Sequence, residues 1–548
     1  MDRKKKWSGW TRLEISGETG DLRCSAFSRR RFLELGGTVA LSGTVALSGM
    51  AQDGGVAGDA DSGPDTSGNT GEVTDCGPPP QAAPQHRSGG ESFPPLPLPV
   101  TPLRRTEKKR PPSPPALIGK MALGNARWVT KDGKRSLVRD WMTDPADTDT
   151  LLKWMNSQLG LQYRPMNIDF QNFSFDPREL PAVLLAGHNK FSLTDEVRES
   201  LRQYVLDGGM IIADACCGWN DFTESFRAEM EKVFPGRSLR KVTPEDPLYS
   251  AFHKLDSVTY KSADGSTKAG APSLESIDFG CRAGVVFSPV DMTCGWDGHE
   301  HPRGTRYVID DARKLGANLV TYLLGNFSLA RFLSTTKVYY EAEEAGRGDF
   351  VFTQMIHDGD WDPDPSAAHN LLKFTRDHST LEVKFRRETV SLSDAAVATA
   401  PLLYMTGHRE FHWSDEDHRT LRRYLEGGGM LLADACCGRI AFDLAFRQAM
   451  EKICPDRPLK KIPADHPIYS TLFEIGRCDY TPRVVEDYGD YTTPELEGIE
   501  FDGRMAVIYS RFDLGNGWEG CEHPYSCGYE SQSAMEIGAN ILAYAMMH

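Results

Sequence analysis

The residues best equipped for chemistry occur as two matching pairs. Cys216-Cys217-Gly218 follows Asp214-Ala215, and Cys436-Cys437-Gly438 follows Asp434-Ala435. A cysteine at the start of a helix feels the positive end of the helix dipole, which lowers its thiol pKa. Cys216 and Cys436 are therefore the candidate nucleophiles. An Asp two residues earlier acts in the opposite sense, because its charge raises the pKa and repels carboxylate substrates. Two other uses stay open. Free cysteine is often a small buried hydrophobe, and adjacent cysteines can close a vicinal disulfide in an oxidising compartment. If Cys24 is lost with an N-terminal signal, 11 of the 12 cysteines remain, and only the Cys-Cys pair recurs. That pattern does not read as a disulfide framework.

A second cluster, Trp296-Asp297-Gly298-His299-Glu300-His301-Pro302, returns as Trp518-Glu519-Gly520-Cys521-Glu522-His523-Pro524. His299-x-His301 and Cys521-x-His523 place two donors on one side of an extended segment, and Asp214 or Cys217 would complete four. Neither Cys-x-x-Cys nor His-Glu-x-x-His occurs. No residue is assigned as a metal ligand and the cofactor is left open. His188 and His408 stand just past a short apolar strand. With Asp214, Asp434, Trp296 and Trp518 they are the candidate ligand-binding residues, because ligands in open α/β sheets gather at strand carboxyl ends. Arg227 and Arg447 fall mid-helix and read as structural braces for a carboxylate.

The elements that must position these residues repeat. Gln203–Gly218 and Arg423–Gly438 are identical at ten of 16 positions, at an offset of 220. A period this long means tandem domains. In each half, short buried strands (Ala182–Ala186, Met210–Ala213, Ala283–Phe287 and their copies) alternate with amphipathic helices. Thr194 and Ser414 read as N-caps, with Asp417 completing a capping box. Gly208-Gly209 and Gly427–Gly429 read as helix stops. This alternation implies α/β domains with mostly parallel, doubly wound sheets.

Gly187-His188 and Gly407-His408, the two Gly-Gly-to-Cys-Cys-Gly segments, His466–Ser470, Ser510–Glu519 and Gly538-Ala539-Asn540 together resemble the bacterial "domain of unknown function 4159". The resemblance covers both halves. It implies two tandem flavodoxin-like domains, remotely similar to class I glutamine amidotransferase-like and trehalose-utilisation-type folds. Those folds carry a nucleophile elbow, Gly-x-Cys-x-Gly. Gly218 and Gly438 match its second glycine, while Asp214 and Asp434 replace the first. The His partner in such folds precedes the last helix, so the resemblance implies His301 and His523 as general bases, oriented by Glu300 or Glu522. In those enzymes the Glu follows the Pro, where this chain has Arg303 and Tyr525.

The division expected is a signal at 1–51, a disordered Pro/Gly-rich linker at 52–117, and α/β domains at 118–332 and 333–548. Ser28-Arg29-Arg30-Arg31-Phe32-Leu33, followed by a weakly apolar run, reads as a twin-arginine export signal, so the expected location is the periplasm or another extracytoplasmic site. That route carries folded proteins. The linker holds 13 of the chain's 34 prolines between Pro78 and Pro115 and reads as a semi-stiff spacer. A net charge of −15 without a basic stripe disfavours a nucleic-acid partner, and no apolar run is long enough for an integral membrane span. Partners expected are an unknown small molecule or an envelope protein, and the two repeats can pack on each other. Three functions remain: a ligand-binding or scaffold module of the cell envelope, which leads; a Cys-dependent hydrolase or transferase; and a metal-binding protein.

Overall fold

Strand-forming residues alternate between two buried faces throughout the central sheets. In the computed structural model, which describes residues 113–334 and 350–547 apart from 124–125, 132, 170–173, 299–303, 381–386 and 521–522, Ala182 and Leu184 pack into one apolar cluster, while Val183 and Leu185 pack into another. Leu402 and Tyr404 divide from Leu403 and Met405 in the same way. A sheet buried on both faces needs helices on both faces, and that is the arrangement found. The export signal and the linker up to residue 112 lie outside the described residues.

The first repeat contains β1 (Ala116–Met121), β2 (Arg164–Ile168), β3 (Ala182–Gly187), β4 (Met210–Ala215), β5 (Arg240–Lys241), β6 (Glu275–Phe279) and β7 (Arg282–Ser288), with helices α1 (Asp147–Leu159), α2 (Asp195–Leu206), α3 (Asn220–Val233), α4 (Thr293–Asp297) and α5 (Ile309–Ser334). The second contains β8 (Phe352–Met355), β9 (Arg387–Val390), β10 (Leu402–Gly407), β11 (Met430–Ala435), β12 (Lys460–Lys461), β13 (Leu496–Phe501) and β14 (Arg504–Ser510), with α6 (Ala367–Asp377), α7 (Asp415–Glu426), α8 (Ile440–Ile453), α9 (Pro482–Tyr488), α10 (Gly515–Glu519) and α11 (Ser531–Met547). β1 starts at Ala116, two residues inside the stretch read as linker, and α5 extends two residues past the expected domain edge.

The strand orders are β2-β1-β3-β4-β7-β6-β5 and β9-β8-β10-β11-β14-β13-β12, the same path twice. The first five strands of each order pair in parallel, and β6 and β13 run antiparallel to their neighbours. This is the flavodoxin-like order with an antiparallel extension. The first repeat adds a hairpin (Ala126–Lys131 with Lys134–Arg139) and a small sheet (Val258–Lys261, Thr267–Gly270, Arg306–Tyr307) that the sequence reading did not anticipate. Among the described residues no helix is long and apolar enough to cross a membrane.

Local signals hold the helices where expected. Thr194 Oγ1 accepts from the Val197 N–H, and Ser414 and Asp417 form a reciprocal capping box. The repeated Gly-Ala-Asn serves packing. A side chain at Gly316 or Gly538 would collide with the Trp296 or Trp518 ring. Asn318 and Asn540 each bond backbone groups of a neighbouring loop, at Phe252 and His253 or at Leu472 and Phe473.

One buried ion pair ties α1 to the sheet. Lys120 Nζ donates to Asp147 Oδ2 at 2.6 Å and to the Asp144 carbonyl at 2.7 Å, and both side chains are nearly inaccessible. Burial pushes the Asp147 carboxyl up, against the pull of the ammonium. Lys120→Met strands that carboxylate and should lower unfolding free energy by about 3–5 kcal/mol, while Lys120→Met with Asp147→Leu should recover most of the loss. Urea denaturation of the two variants checks this; a single variant as stable as the parent refutes it.

Candidate functional site

The end of the central strand in each repeat is forced into an unusual shape. After β4, Cys217 has φ 56° and Gly218 has φ 66°; after β11, Cys437 has φ 53° and Gly438 has φ 64°. Two successive left-handed residues, one of them not glycine, cost free energy and need an external hold. Asp291 supplies it in the first repeat, accepting the Cys217 N–H at 2.8 Å and the Cys294 N–H at 3.1 Å. Asp513 does the same for Cys437 and for Asn516, the latter at 2.8 Å. One carboxylate thus fixes both the elbow and the first turn of α4 or α10.

Asp214 and Asp434, expected to face a ligand, are fully buried and accept bonds from the next loop instead. Asp214 takes Met292 N, Thr293 N and Thr293 Oγ1; Asp434 takes Leu514 N, Gly515 N and the Tyr404 hydroxyl. Trp296 and Trp518 are core residues, each donating its indole N–H to a carbonyl of the last helix, Ala312 or Ala534. They brace that helix. Arg227 and Arg447 pair with Glu275 and Glu497, as expected of structural arginines.

The histidines after β3 and β10 sit at the site. Asp140 accepts from the His188 and Asn189 backbones, and His188 Nδ1 lies 3.2 Å from its carboxylate. Asp360 holds His408 likewise, with Nδ1 at 2.5 Å. His408 Nε2 then reaches Cys437 Sγ at 3.4 Å. Burial alone would lower the His408 pKa, but the Asp360 charge and the Cys437 sulfur hold it well above the usual value.

Around Cys216 a thiol cluster forms. Its sulfur lies 4.0 Å from Cys217 Sγ and 3.9 Å from Cys294 Sγ, and it donates to Asp144 at 3.4 Å. Hydrogen bonds from Cys217 and Cys294, helped by His188 and opposed by burial, hold the Cys216 thiol well below its ordinary pKa. Burial, with Cys216 and Asp144 nearby, pushes Asp291 up to about 8.

In the second repeat, Cys436 donates to Asp364 at 3.3 Å and lies 3.5 Å from Cys281 Sγ, which also donates to Asp364 at 3.3 Å. Cys281 comes from the turn between β6 and β7 of the first repeat. Cys437, not Cys436, touches imidazole: His523 Nε2 is 3.0 Å from its sulfur. His523 Nδ1 accepts the Tyr525 N–H, so the ring proton sits on Nε2, pointing at that sulfur. Burial would raise the Cys437 thiol, yet bonds from Cys281 and Cys436 and the two imidazoles hold it well below the ordinary range. Burial and the Cys437 charge push Asp364 up to about 6.

The sequence pairing of Cys436 with His523 thus becomes Cys437 with His523. Glu300, His301 and Glu522, with the neighbouring donors His299 and Cys521, lie outside the described residues. Four contributors escaped the sequence reading: Asp144/Asp364, Asp291/Asp513, Cys294 and Cys281. The first two pairs recur at the repeat offsets and were open to detection by that signal. Cys294 and Cys281 recur nowhere. All nine described cysteines are buried and free of disulfides.

Among those thiols, Cys216, Cys217 and Cys294 with Asp291 form one set whose donor atoms all lie within 4.8 Å of one another, and Cys281, Cys436 and Cys437 with His408 form another. A third set within the same distance, Asp364, Cys436 and Asp513, overlaps the second.

No curated protein matches the sequence. A crystal structure described as a "putative phosphosugar isomerase" from Silicibacter pomeroyi DSS-3 aligns over 58% of this chain and 75% of that one, at 10% identity and a TM-score of 0.13, a likeness that carries no argument. The profile described as "Domain of unknown function (DUF4159)" matches residues 131–324 and again 350–546. With most of the chain matched and the same strand path drawn twice, the protein belongs to the DUF4159 family, as two tandem copies of its domain.

Proposed function

We propose that this protein binds soft divalent metal ions of the zinc type, one in each repeat. The observation that carries the reading is the convergence of three thiols and a fourth donor in both repeats, although the third thiol comes from different sequence positions. Thiolates held at about 2.3 Å by a tetrahedral ion lie about 3.8 Å apart. The sulfur separations of 3.9 and 4.0 Å in one cluster and 3.5 Å in the other bracket that value. The donor set also argues for the occupant. Three thiolates, joined by a carboxylate in the first set and an imidazole in the second, select zinc, copper(I) or iron over magnesium or calcium. Asp360, bonded to His408 Nδ1, is suited to orient that imidazole as a ligand from behind. Export by the twin-arginine route, which the Ser28–Leu33 motif leads us to propose, fits a centre filled before export, since that route carries folded proteins.

Protein purified without chelator should contain about two such ions per chain, and Cys217→Ser and Cys437→Ser should each lose about one. Elemental analysis counts them. A thiol-competitive chelator should lower Tm by at least about 5 °C, because metal bound only to the native state is folding free energy. Metal-free wild type with an unchanged Tm after chelation would refute the reading.

A second reading rests on a different observation. Asp360, His408 and Cys437 stand in line at 2.5 and 3.4 Å, the order of an orienting carboxylate, an imidazole and a nucleophilic thiolate. Here Cys437, rather than Cys436, is the nucleophile of a hydrolase or transferase. In metal-free folded protein this reading expects iodoacetamide to modify Cys437 below pH 7 at least about tenfold faster than Cys436. Peptide mass spectrometry separates the two sites; a Cys437 silent until unfolding removes this reading.

A further inference from the structure

Cys281 is out of place for a turn residue. It sits in the tight connection between β6 and β7, where the second repeat carries Gly503 in an exposed Asp-Gly turn. Hairpin turns are ordinarily solvated, yet Cys281 is only 6% exposed. Its burial comes from the other repeat: its sulfur lies 3.5 Å from Cys436 Sγ and bonds Asp364. The first repeat needs no such loan, because Cys294 on α4 completes its cluster. The matching position of α10 is Asn516, buried, with Oδ1 lacking a hydrogen-bond partner among the described residues. The second repeat therefore has no thiol of its own at that position, and the third thiol of its cluster comes from its neighbour.

The surroundings hold that turn in place. Asp278 pairs with Arg409, the residue after His408, and Asp246 pairs with Arg439, the residue after Gly438, at 3.2 Å. Tyr322 stacks on Tyr525 at 5.3 Å between ring centres. A water-sized cavity of about 30 Å³ between the repeats is bordered by Cys281, His408, Arg409 and Arg439. Each ion pair joins a residue flanking the second centre to the first repeat.

Resting on the metal reading above, we infer that the second centre is a clasp between the two repeats, with Cys281 as its cross-domain ligand. Linkage then runs both ways. Filling the centre favours the docked arrangement, and docking supplies the ligand that raises the affinity. The first centre, built within one repeat, has no such coupling.

The test uses the full chain. Wild type, Cys281→Ser, Cys281→Ser with Asn516→Cys, and Cys454→Ser as a buried-cysteine control are analysed for metal content and for tryptic cleavage at Arg409, whose side chain pairs with Asp278 of the first repeat. Cys281→Ser should hold about one ion instead of two and be cleaved at Arg409 roughly tenfold faster, like chelated wild type, because undocking frees Arg409 from Asp278 and proteolysis follows the opened population. Asn516→Cys should restore the second ion by supplying a thiol from α10, as Cys294 does on α4, while cleavage stays fast. Cys454→Ser should match wild type in both. Cys281→Ser with two ions and unchanged cleavage overturns the clasp and leaves the metal reading standing. Wild type without metal removes both. A Cys281→Ser protein that loses both ions and its far-UV circular dichroism reports a folding role for Cys281 and also overturns the clasp.

Discussion

The structure turns on one carboxylate in each repeat. A strand that ends in two left-handed residues cannot continue its ladder, and the amide it exposes must be satisfied locally. Asp291 and Asp513 meet that need while also bonding the first turn of the short helix that follows the neighbouring strand. The elbow and the helix are thereby locked together. Every other feature of the site follows from this lock. The two sulfurs of the bend are brought into one cluster, the buried Trp of α4 or α10 is set against the last helix, and Asp214 or Asp434 closes the loop between them. A shape that costs strain and is braced twice by buried carboxylates is the kind usually retained for a site rather than for packing.

Burying so many acids together creates a second constraint. Asp214, Asp291, Asp434 and Asp513 are all pushed toward their neutral forms, first by burial, and Asp214, Asp291 and Asp513 also by neighbouring acids or thiolates. The imidazoles answer part of that charge. The Asp360 charge and the Cys437 sulfur hold the His408 pKa well above its usual value against burial, and Arg439 is paired with Asp246 across the repeat boundary. A buried region carrying this excess of acceptors is one that a cation relieves.

Much of the frame was legible in the sequence because periodicity is a local property. Strands β3, β4, β10 and β11, the capping residues Thr194 and Ser414, and the Cys-Cys-Gly turns all declare themselves within a few residues. The site was legible only in part. His188 and His408 follow from strand-end logic, but the choice between Cys436 and Cys437 depends on which way each sulfur leaves a left-handed turn, and no pattern of residue types reveals that. Trp296 and Trp518 read as ligand-facing because ligands in open α/β sheets gather at strand carboxyl ends; in the fold their indole N–H finds a helix carbonyl, so the ring is free to be core. The Gly316 and Gly538 positions that make room for them were visible as repeats without a stated purpose.

The two repeats also show how a duplicated site drifts under a geometric demand. Both retain the acids, the histidine and the paired cysteines, at fixed offsets. The third thiol differs in origin, from α4 in one copy and from a foreign hairpin in the other, and the fourth donor is Asp291 in one set and His408 in the other. If the thiols were only core filler, the exchange of Cys294 for Asn516 would call for repacking at that spot and would place no demand on a turn in the neighbouring domain. Instead a cysteine stands where the vacancy can be met, at 3.5 Å from Cys436 and within reach of the same carboxylate. Hydrophobic burial is indifferent to which atom fills a space, whereas coordination counts donors. Restoring the number of thiols, rather than the volume, is the feature that separates a ligand set from a core.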